Sequence, residues 1–307
     1  MRTLLVPVRI NFIGGWSDQV CWPHHAAVVN ASVGWYSGWE HDPYPCVCEY
    51  LEDAPPVFKT VVDGVGTGLG ISGIRAAVSR HDKERISGKL QYVQRSLEWE
   101  RESGTKGGWQ DCIGAIEPGF KLIETDDHVN FTIRYRDDHP ILTHIVLFDT
   151  GLRRDSCRIG DQIRQLIADS SSGFVRDLSA AVRRSEFFFN TEDVSLSWIC
   201  LMGYWKQLCR HVPDMVVDGI PEPQGTWGHT LAGAGGGGWG IMFVEDPDQR
   251  ERVVSDLKQA KFPAFIPVLL DGVKWETQEW ISELTSICLE GQKPSHWRES
   301  REACKVF

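Results

Sequence analysis

Two five-residue units, Gly14-Gly15-Trp16-Ser17-Asp18 and Gly107-Gly108-Trp109-Gln110-Asp111, each set a carboxylate beside a tight turn and an indole. A carboxylate so placed can take a proton from a hydroxyl or accept its hydrogen bond. The plainer reading of either aspartate alone is a helix N-cap, because Asp after a turn satisfies the free N–H groups of a first helical turn. Repetition of the whole unit, with its tryptophan, favours a functional reading, since an apolar face flanking a carboxylate suits a sugar ring. Glu100 precedes Asp111 on a predicted helix and stands among Glu98 and Glu102, where a solvated surface charge is the default.

Two glycine runs stand apart from these units. Gly66-Thr67-Gly68-Leu69-Gly70-Ile71-Ser72-Gly73 lies just before a helix-compatible segment. Its backbone N–H groups can converge at the positive end of the helix dipole, which is how a loop cradles phosphate. A plain flexible turn is the competing reading. No Gly-Lys-Ser/Thr follows, so the run is not a Walker A motif, and no apolar strand clearly leads into it as a dinucleotide fingerprint would require. The second run, Gly233-Ala234-Gly235-Gly236-Gly237-Gly238, sits directly between Thr230-Leu231-Ala232 and a strong strand pattern. That position argues against a linker and for close approach of the backbone to a ligand or to another loop.

Hydrophobic period gives the elements that must position these groups. Residues 4 to 13 read as a strand ending at Gly14-Gly15, and 26 to 37 as a second strand. Helices are expected over Ser72 to His81 and, from the spacing of Leu90, Val93 and Leu97, over Ser87 to Glu102. The pieces VNFTIRY and LTHIVLF within 129 to 149 suggest a hairpin or adjacent strands around the polar turn 136 to 140. From Asp155 to about His211 helices dominate, with Ile159, Ile163, Leu166 and Ile167 and later Leu196, Ile199 and Cys200 in register. A strand WGIMFV, a charged helix over about 246 to 261 and a strand AFIPVLL follow. The change of pattern near 150 to 160 suggests two α+β parts, 1–150 and 151–307.

Composition narrows the class. With 307 residues and 42% hydrophobic content the chain can bury a substantial core. A net charge of −10 gives no long-range attraction for nucleic acid, although a few basic side chains can still converge on a small anion. Arg153, Arg154 and Lys206 are candidates for that, with solvated surface charge as the alternative. Nine scattered cysteines lack zinc or redox spacing and read as reduced thiols. No run of 18 apolar residues occurs and the start reads as a strand rather than a signal peptide, so a cytoplasmic protein without nucleic-acid or membrane partners is expected, as monomer or homodimer.

In this order, the motifs resemble the signature set of the superfamily of galactokinase, homoserine kinase, mevalonate kinase and phosphomevalonate kinase (GHMP kinases). Pro7-Val8-Arg9-Ile10-Asn11-Phe12-Ile13-Gly14-Gly15-Trp16-Ser17-Asp18 resembles its N-terminal substrate motif, in a form similar to that of L-fucokinases. Gly66 to Ser72 resembles its phosphate loop and Gly233 to Gly238 its third motif. The unit at 107 to 111 resembles the fucokinase catalytic-base motif, and Thr150-Gly151-x-x-Arg154 resembles a segment shared with D-glycero-D-manno-heptose 7-phosphate kinases. The resemblance implies an α+β fold of two domains, a mixed α/β N-terminal one and a ferredoxin-like C-terminal one, with the active site between them.

It also implies roles. Asp111 is the expected base for the sugar hydroxyl, and Arg9 beside it favours the carboxylate form and offsets charge in the transition state. Asp18, with Gly15, Trp16, Gly108 and Trp109, is expected to bind and orient the sugar. ATP is expected on the backbone of Gly66, Thr67, Gly68, Leu69, Gly70, Ile71, Ser72 and Gly73, closed over by Gly233, Ala234, Gly235 and Gly236. Ser72 and Glu100 are the expected ligands of Mg²⁺. The implied reaction is phosphoryl transfer from ATP to a sugar hydroxyl, the anomeric one by likeness to fucokinases and heptose kinases. An unusual alcohol, a cyclitol, a phosphorylated sugar or a non-catalytic binding role are the alternatives.

Departures from the pattern bear on these alternatives. Ile71 and Gly73 flank a single Ser72 where the relatives carry further hydroxyls. Arg75 replaces an apolar helix residue, as a phosphate contact or a solvent-facing charge, and Cys112 stands where relatives usually have Gln. The interval between the first two motifs is short.

Overall fold

A computed structural model describes residues 2–19, 21–34, 46–51, 54–60, 94, 97–98, 107–152, 156–169, 171–270, 274–276 and 298–299. The first expected strand is two. Pro7 has no N–H to give to a ladder, and the chain divides there into β1 (Arg2–Val6) and β2 (Val8–Ile13), which enter different sheets. β1 pairs with β4 (Cys46–Leu51), which pairs with β5 (Ala54–Thr60).

The site is built on the second sheet. Its central strand, β3 (Ala26–Gly34), is buried throughout and pairs antiparallel with β2 on one edge and with β6 (Phe120–Thr125) on the other; β7 (Thr132–Tyr135) continues from β6. A strand this apolar needs cover on both faces. On one face lies a short helix, α1 (Trp109–Ile116), packed on β2 and β3.

The other face takes the helical segment expected after residue 155. There α2 (Ser156–Ala168) is followed by α3 (Phe174–Asn190) and α4 (Val194–His211). Phe174, Leu178, Ala181, Val182, Ser185, Phe188 and Phe189 recur at helical spacing and turn one side of α3 to β2, β3 and β6. Phe188 lies near both Phe12 and Phe120, at centroid distances of 5.8 and 6.4 Å. Each such ring, fully buried, contributes roughly 1.5–3 kcal/mol.

For α4 the period is as expected but the face is not. Ser197, Leu201, Tyr204 and Leu208 point inward, while Leu196 and Ile199 are exposed. Asp193 caps this helix, accepting from Leu196 N at 3.1 Å.

β8 (Ile145–Asp149) does not form a hairpin with β7. A 3₁₀ turn over Pro140–His144 carries it to a third sheet, between β10 (Trp239–Val244) and the short β11 (Ala264–Phe265), with β9 (Thr226–Leu231) beyond β10. Helix α5 (Arg250–Gln259) buries Val253, Val254 and Leu257 against this sheet. The expected boundary near residue 150 therefore falls at the end of a strand whose partners come from beyond it. The expected strand AFIPVLL is also split at its proline: β11 joins β8, and β12 (Val268–Leu269) pairs with the end of β3. The mixed α+β class is as the sequence implies. Among the described residues no helix is long and apolar enough to cross a membrane.

Candidate active site

Strand pairing sets the first polar group. Arg9 and Asn11 alternate with Val8, Ile10 and Phe12 along β2, so they share the face that α1 covers, and their register partners on β3 are Ser32 and Asn30. Arg9 is almost fully buried and meets Asp111, in the first turn of α1: Nε donates to Oδ1 at 2.7 Å and a terminal guanidinium nitrogen pairs with the same oxygen. The helix start sits at Gly108, where no side chain caps it. Asp111 is therefore no N-cap; it is a carboxylate at the positive end of a helix, held by a guanidinium.

The second aspartate reaches the same place from the turn after β2. Gly14 adopts φ +84° and runs so close to the Ala27 carbonyl that a side chain there would overlap it. Ser17 N and Oγ both donate to Gly14 O, at 3.2 and 2.7 Å, and Trp16 takes an uncommon left-handed φ of 72°. This turn delivers Asp18 into a site sealed from solvent, against Gly108. Burial and then the Asp111 charge raise its pKa to about 7, with Arg9 and the backbone of Gln110 and of Asp18 itself acting the other way.

Around these carboxylates is a set of buried oxygen atoms that accept no well-formed hydrogen bond among the described residues: Asn11 Oδ1, Asn30 Oδ1, Gln110 Oε1 and both oxygens of Asp18, which the backbone N–H groups of Gln110 and Asp18 approach only loosely. They come from β2, β3, the 15–18 turn and the first turn of α1. Unsatisfied buried acceptors cost free energy and call for donors. A polyhydroxylated molecule supplies such donors in number.

The two tryptophans of the repeated units differ. Trp16 is half-buried, whereas Trp109 is wholly buried with its edge on Phe131. The Trp109 indole N–H donates to His128 Nδ1 at 3.1 Å; His128 then carries its own proton on Nε2 and donates to the Trp22 carbonyl at 3.0 Å. Trp109 thus presents no face to solvent and ties α1 to the loop after Asp18.

The glycine run at 233–238, which resembles the superfamily's third motif and is hence the third run, follows β9. Gly235, Gly236, Gly237 and Gly238 all have positive φ. Side chains at 235 and 236 would press on Trp205, Met215, Asp214 and Ile159, and one at 237 on Leu152. The run is fastened by Gly236 N to Met215 O at 2.8 Å, Gly238 N to Leu152 O at 2.9 Å and Thr150 Oγ1 to Gly238 O at 2.7 Å. The loop approached so closely is 214–215 together with 150–152.

Helix α4 touches both places. Tyr204 Oη donates to Gly15 O at 2.6 Å, and the next residue, Trp205, lies against Gly235. Arg9, Gly15, Asp18, Gly108 and Asp111 are therefore brought together. Gly66, Thr67, Gly68, Leu69, Gly70, Ile71, Ser72, Gly73, Arg75, Glu100, Arg153 and Arg154 lie outside the described residues, as do the helix over 72–81 and most of the helix over 87–102. Asn11 and Gln110 lie inside the quoted motifs without an expected role there, and Asn30 and Tyr204 lie outside them. For Asn11 and Asn30 the signal is a polar residue alternating inside an otherwise apolar strand; Gln110 and Tyr204 lie on α1 and α4 and carry no such signal.

No family model matches the chain. In an alignment of 215 positions that covers 61% of this chain, it is 26% identical to the L-fucokinase/L-fucose-1-P guanylyltransferase of Bacteroides fragilis, of which 22% is covered. A bifunctional fucokinase/GDP-fucose pyrophosphorylase of Arabidopsis thaliana is 24% identical, with 83% of this chain and 31% of that protein covered. The chain spans less than a third of the length of these curated relatives. Its fold is similar to that of Lactococcus lactis galactokinase (TM-score 0.58, 14% identity, 89% and 94% of the two chains). It is also similar to that of a D-glycero-D-manno-heptose 1-phosphate kinase from Bacteroides thetaiotaomicron (TM-score 0.52, 16% identity, 90% and 98%).

Proposed function

We propose that this chain, which has the GHMP kinase fold and sequence similarity to fucokinases, is an ATP-dependent sugar kinase that forms a sugar 1-phosphate. The observation that carries the reading is the buried Arg9–Asp111 pair set among acceptor oxygens that lack donors. In-line positioning and charge stabilisation supply most of the acceleration in phosphoryl transfer, so a small polar constellation of this kind suffices.

In this reading Asp111 accepts the proton of the attacking sugar hydroxyl. Two Arg9 nitrogens engage Oδ1 of Asp111, so Oδ2 is the oxygen that receives it. Arg9 fixes the carboxylate in place and balances negative charge that builds on the transferring group. Asp18, Asn11, Asn30 and Gln110 accept hydrogen bonds from the remaining hydroxyls and set the ring. The Gly15 carbonyl is already taken by Tyr204, which holds the turn rather than the sugar.

The 66–73 run would hold the phosphates of ATP and the third run would close the site beside them. Ser72 and Glu100 would hold Mg²⁺, which would supply neutralisation of the phosphate charge. The parts expected from the sequence, 1–150 and 151–307, would contribute the substrate and phosphate motifs and the third glycine run respectively.

The test is ADP release by the purified chain with Mg-ATP over a panel of free and phosphorylated sugars, with phosphorus NMR to locate the new phosphate. The expected result is an anomeric phosphate on one sugar or a few related ones. ATP binding without turnover on any sugar, cyclitol or sugar phosphate would overturn the assignment.

A further inference from the structure

Lys121 is a fully buried lysine on β6 that the reaction described above does not use. Its Nζ donates to Ser32 Oγ and Gly119 O at 3.0 Å each and to Pro118 O at 3.3 Å, one acceptor for each ammonium hydrogen. Ser32 Oγ in turn contacts the Gly114 carbonyl and the Glu117 carbonyl, the latter at 2.7 Å, in the last turn and cap of α1. Ser32 is the register partner of Arg9, and Asn30 that of both Asn11 and Lys121. Buried polar side chains thus run without a break beneath α1 from Lys121 to Arg9.

The helix itself explains why such a fastening is needed. It has eight residues, no side-chain N-cap and no basic residue in its last turn. So short a helix has little stability of its own. At one end Arg9 binds Asp111. At the other, Lys121 brings a positive charge from a different element to the negative end of the helix dipole. Gly114 lets the helix lie on the strand, since a side chain there would come within 3.1 Å of Arg9 Cβ. Burial lowers the Lys121 pKa to about 7, with Glu117 and Asp137 opposing the shift. An ammonium kept in the interior at that cost suits a requirement other than core packing.

We propose that Lys121 and Ser32 are positioning residues for Asp111: they anchor the C-terminal end of α1 to β3 and thereby set where the carboxylate meets Arg9 and the substrate hydroxyl. The proposal rests on the reading of Asp111 as the base.

The experiment compares Lys121→Met, Ser32→Ala and the double variant of the full chain, using Mg-ATP and the best sugar of the panel. Each single variant is expected to lower kcat by about ten- to a hundredfold with both KM values unchanged, as displacement of a catalytic group does. The double variant is expected to be no worse than the weaker single one, since both residues act through one contact. Residues that merely stabilise the fold would lower the yield of folded protein and leave kcat per folded molecule intact; that result, or additive losses, overturns the proposal. If Lys121→Met does not fold, Ser32→Ala alone decides by the same kcat and KM criterion. If the parent chain turns over no sugar, the kinase reading fails by itself, and amide hydrogen exchange then decides. Ser32→Ala should deprotect 109–116 while leaving 174–190 unchanged, and equal protection of both would sink the anchor.

Discussion

The carboxylate of Asp18 lies so close to the Cα of Gly108 that any side chain at 108 would occupy its place. The two Gly-Gly-Trp-x-Asp units are thus complementary: a glycine of one makes room for the aspartate of the other. Gly108 has φ −95°, which alanine adopts freely, so Gly108→Ala tests contact alone. It should destabilise the fold by roughly 1–3 kcal/mol in urea unfolding and raise the sugar KM more than the ATP KM. Equal changes in the two KM values would count against Asp18 as a sugar ligand.

Asp18 gives a pH prediction. Its pKa of about 7 in the fold exceeds the ordinary 3.8, so the native state holds a proton that the unfolded chain has released. Stability therefore falls as pH rises from about 4 to 7, and the loss is complete above pH 7. Asp18→Asn removes it. The variant should be more stable than the parent at pH 8, by an amount on the order of 3 kcal/mol, and the difference should vanish near pH 4. A constant difference over that range would contradict the buried, raised carboxyl.

Asp111→Asn keeps an acceptor for Arg9 but cannot take a proton. Turnover should fall by about 10²–10⁴-fold while ATP binding, followed by calorimetry, stays near the parent value. Normal turnover would remove Asp111 from the role of base.

His128 holds Trp109, the first residue of the helix that carries Asp111. Replacing it with alanine leaves the buried Trp109 indole N–H without its acceptor, at a cost of about 1–3 kcal/mol in thermal or urea unfolding. Phenylalanine at 128 should cost as much, because it fills the space without accepting the bond. Recovery of stability by phenylalanine would show that packing, not the hydrogen bond, is what matters there.

Much of this was legible in the chain. The apolar runs gave β3, β10 and the helices after residue 155, and the glycines and aspartates of the repeated units stood out because turns and carboxylates punctuate sequence. Pro7 and Pro267 were less clear, since each interrupts a run that is apolar on both sides and only the sheets show that the flanks part company. Leu196, Ile199 and Cys200 keep the helical period of α4, yet Leu196 and Ile199 are exposed: in SWICLMGYW apolar residues surround the helix, so period alone does not choose a side. Asn11, Asn30, Ser32 and Lys121 were illegible as a site for a related reason. Polar residues alternating in a strand ordinarily face water, and here that face is covered by α1, brought from far along the chain.

The neighbours Tyr204 and Trp205 give α4 one further consequence. One residue grips the turn that delivers Asp18, and the next braces the third glycine run. A single peptide unit therefore sets the distance between the two loops. The two loops are thereby coupled through one helix, so a ligand that shifts one is felt at the other.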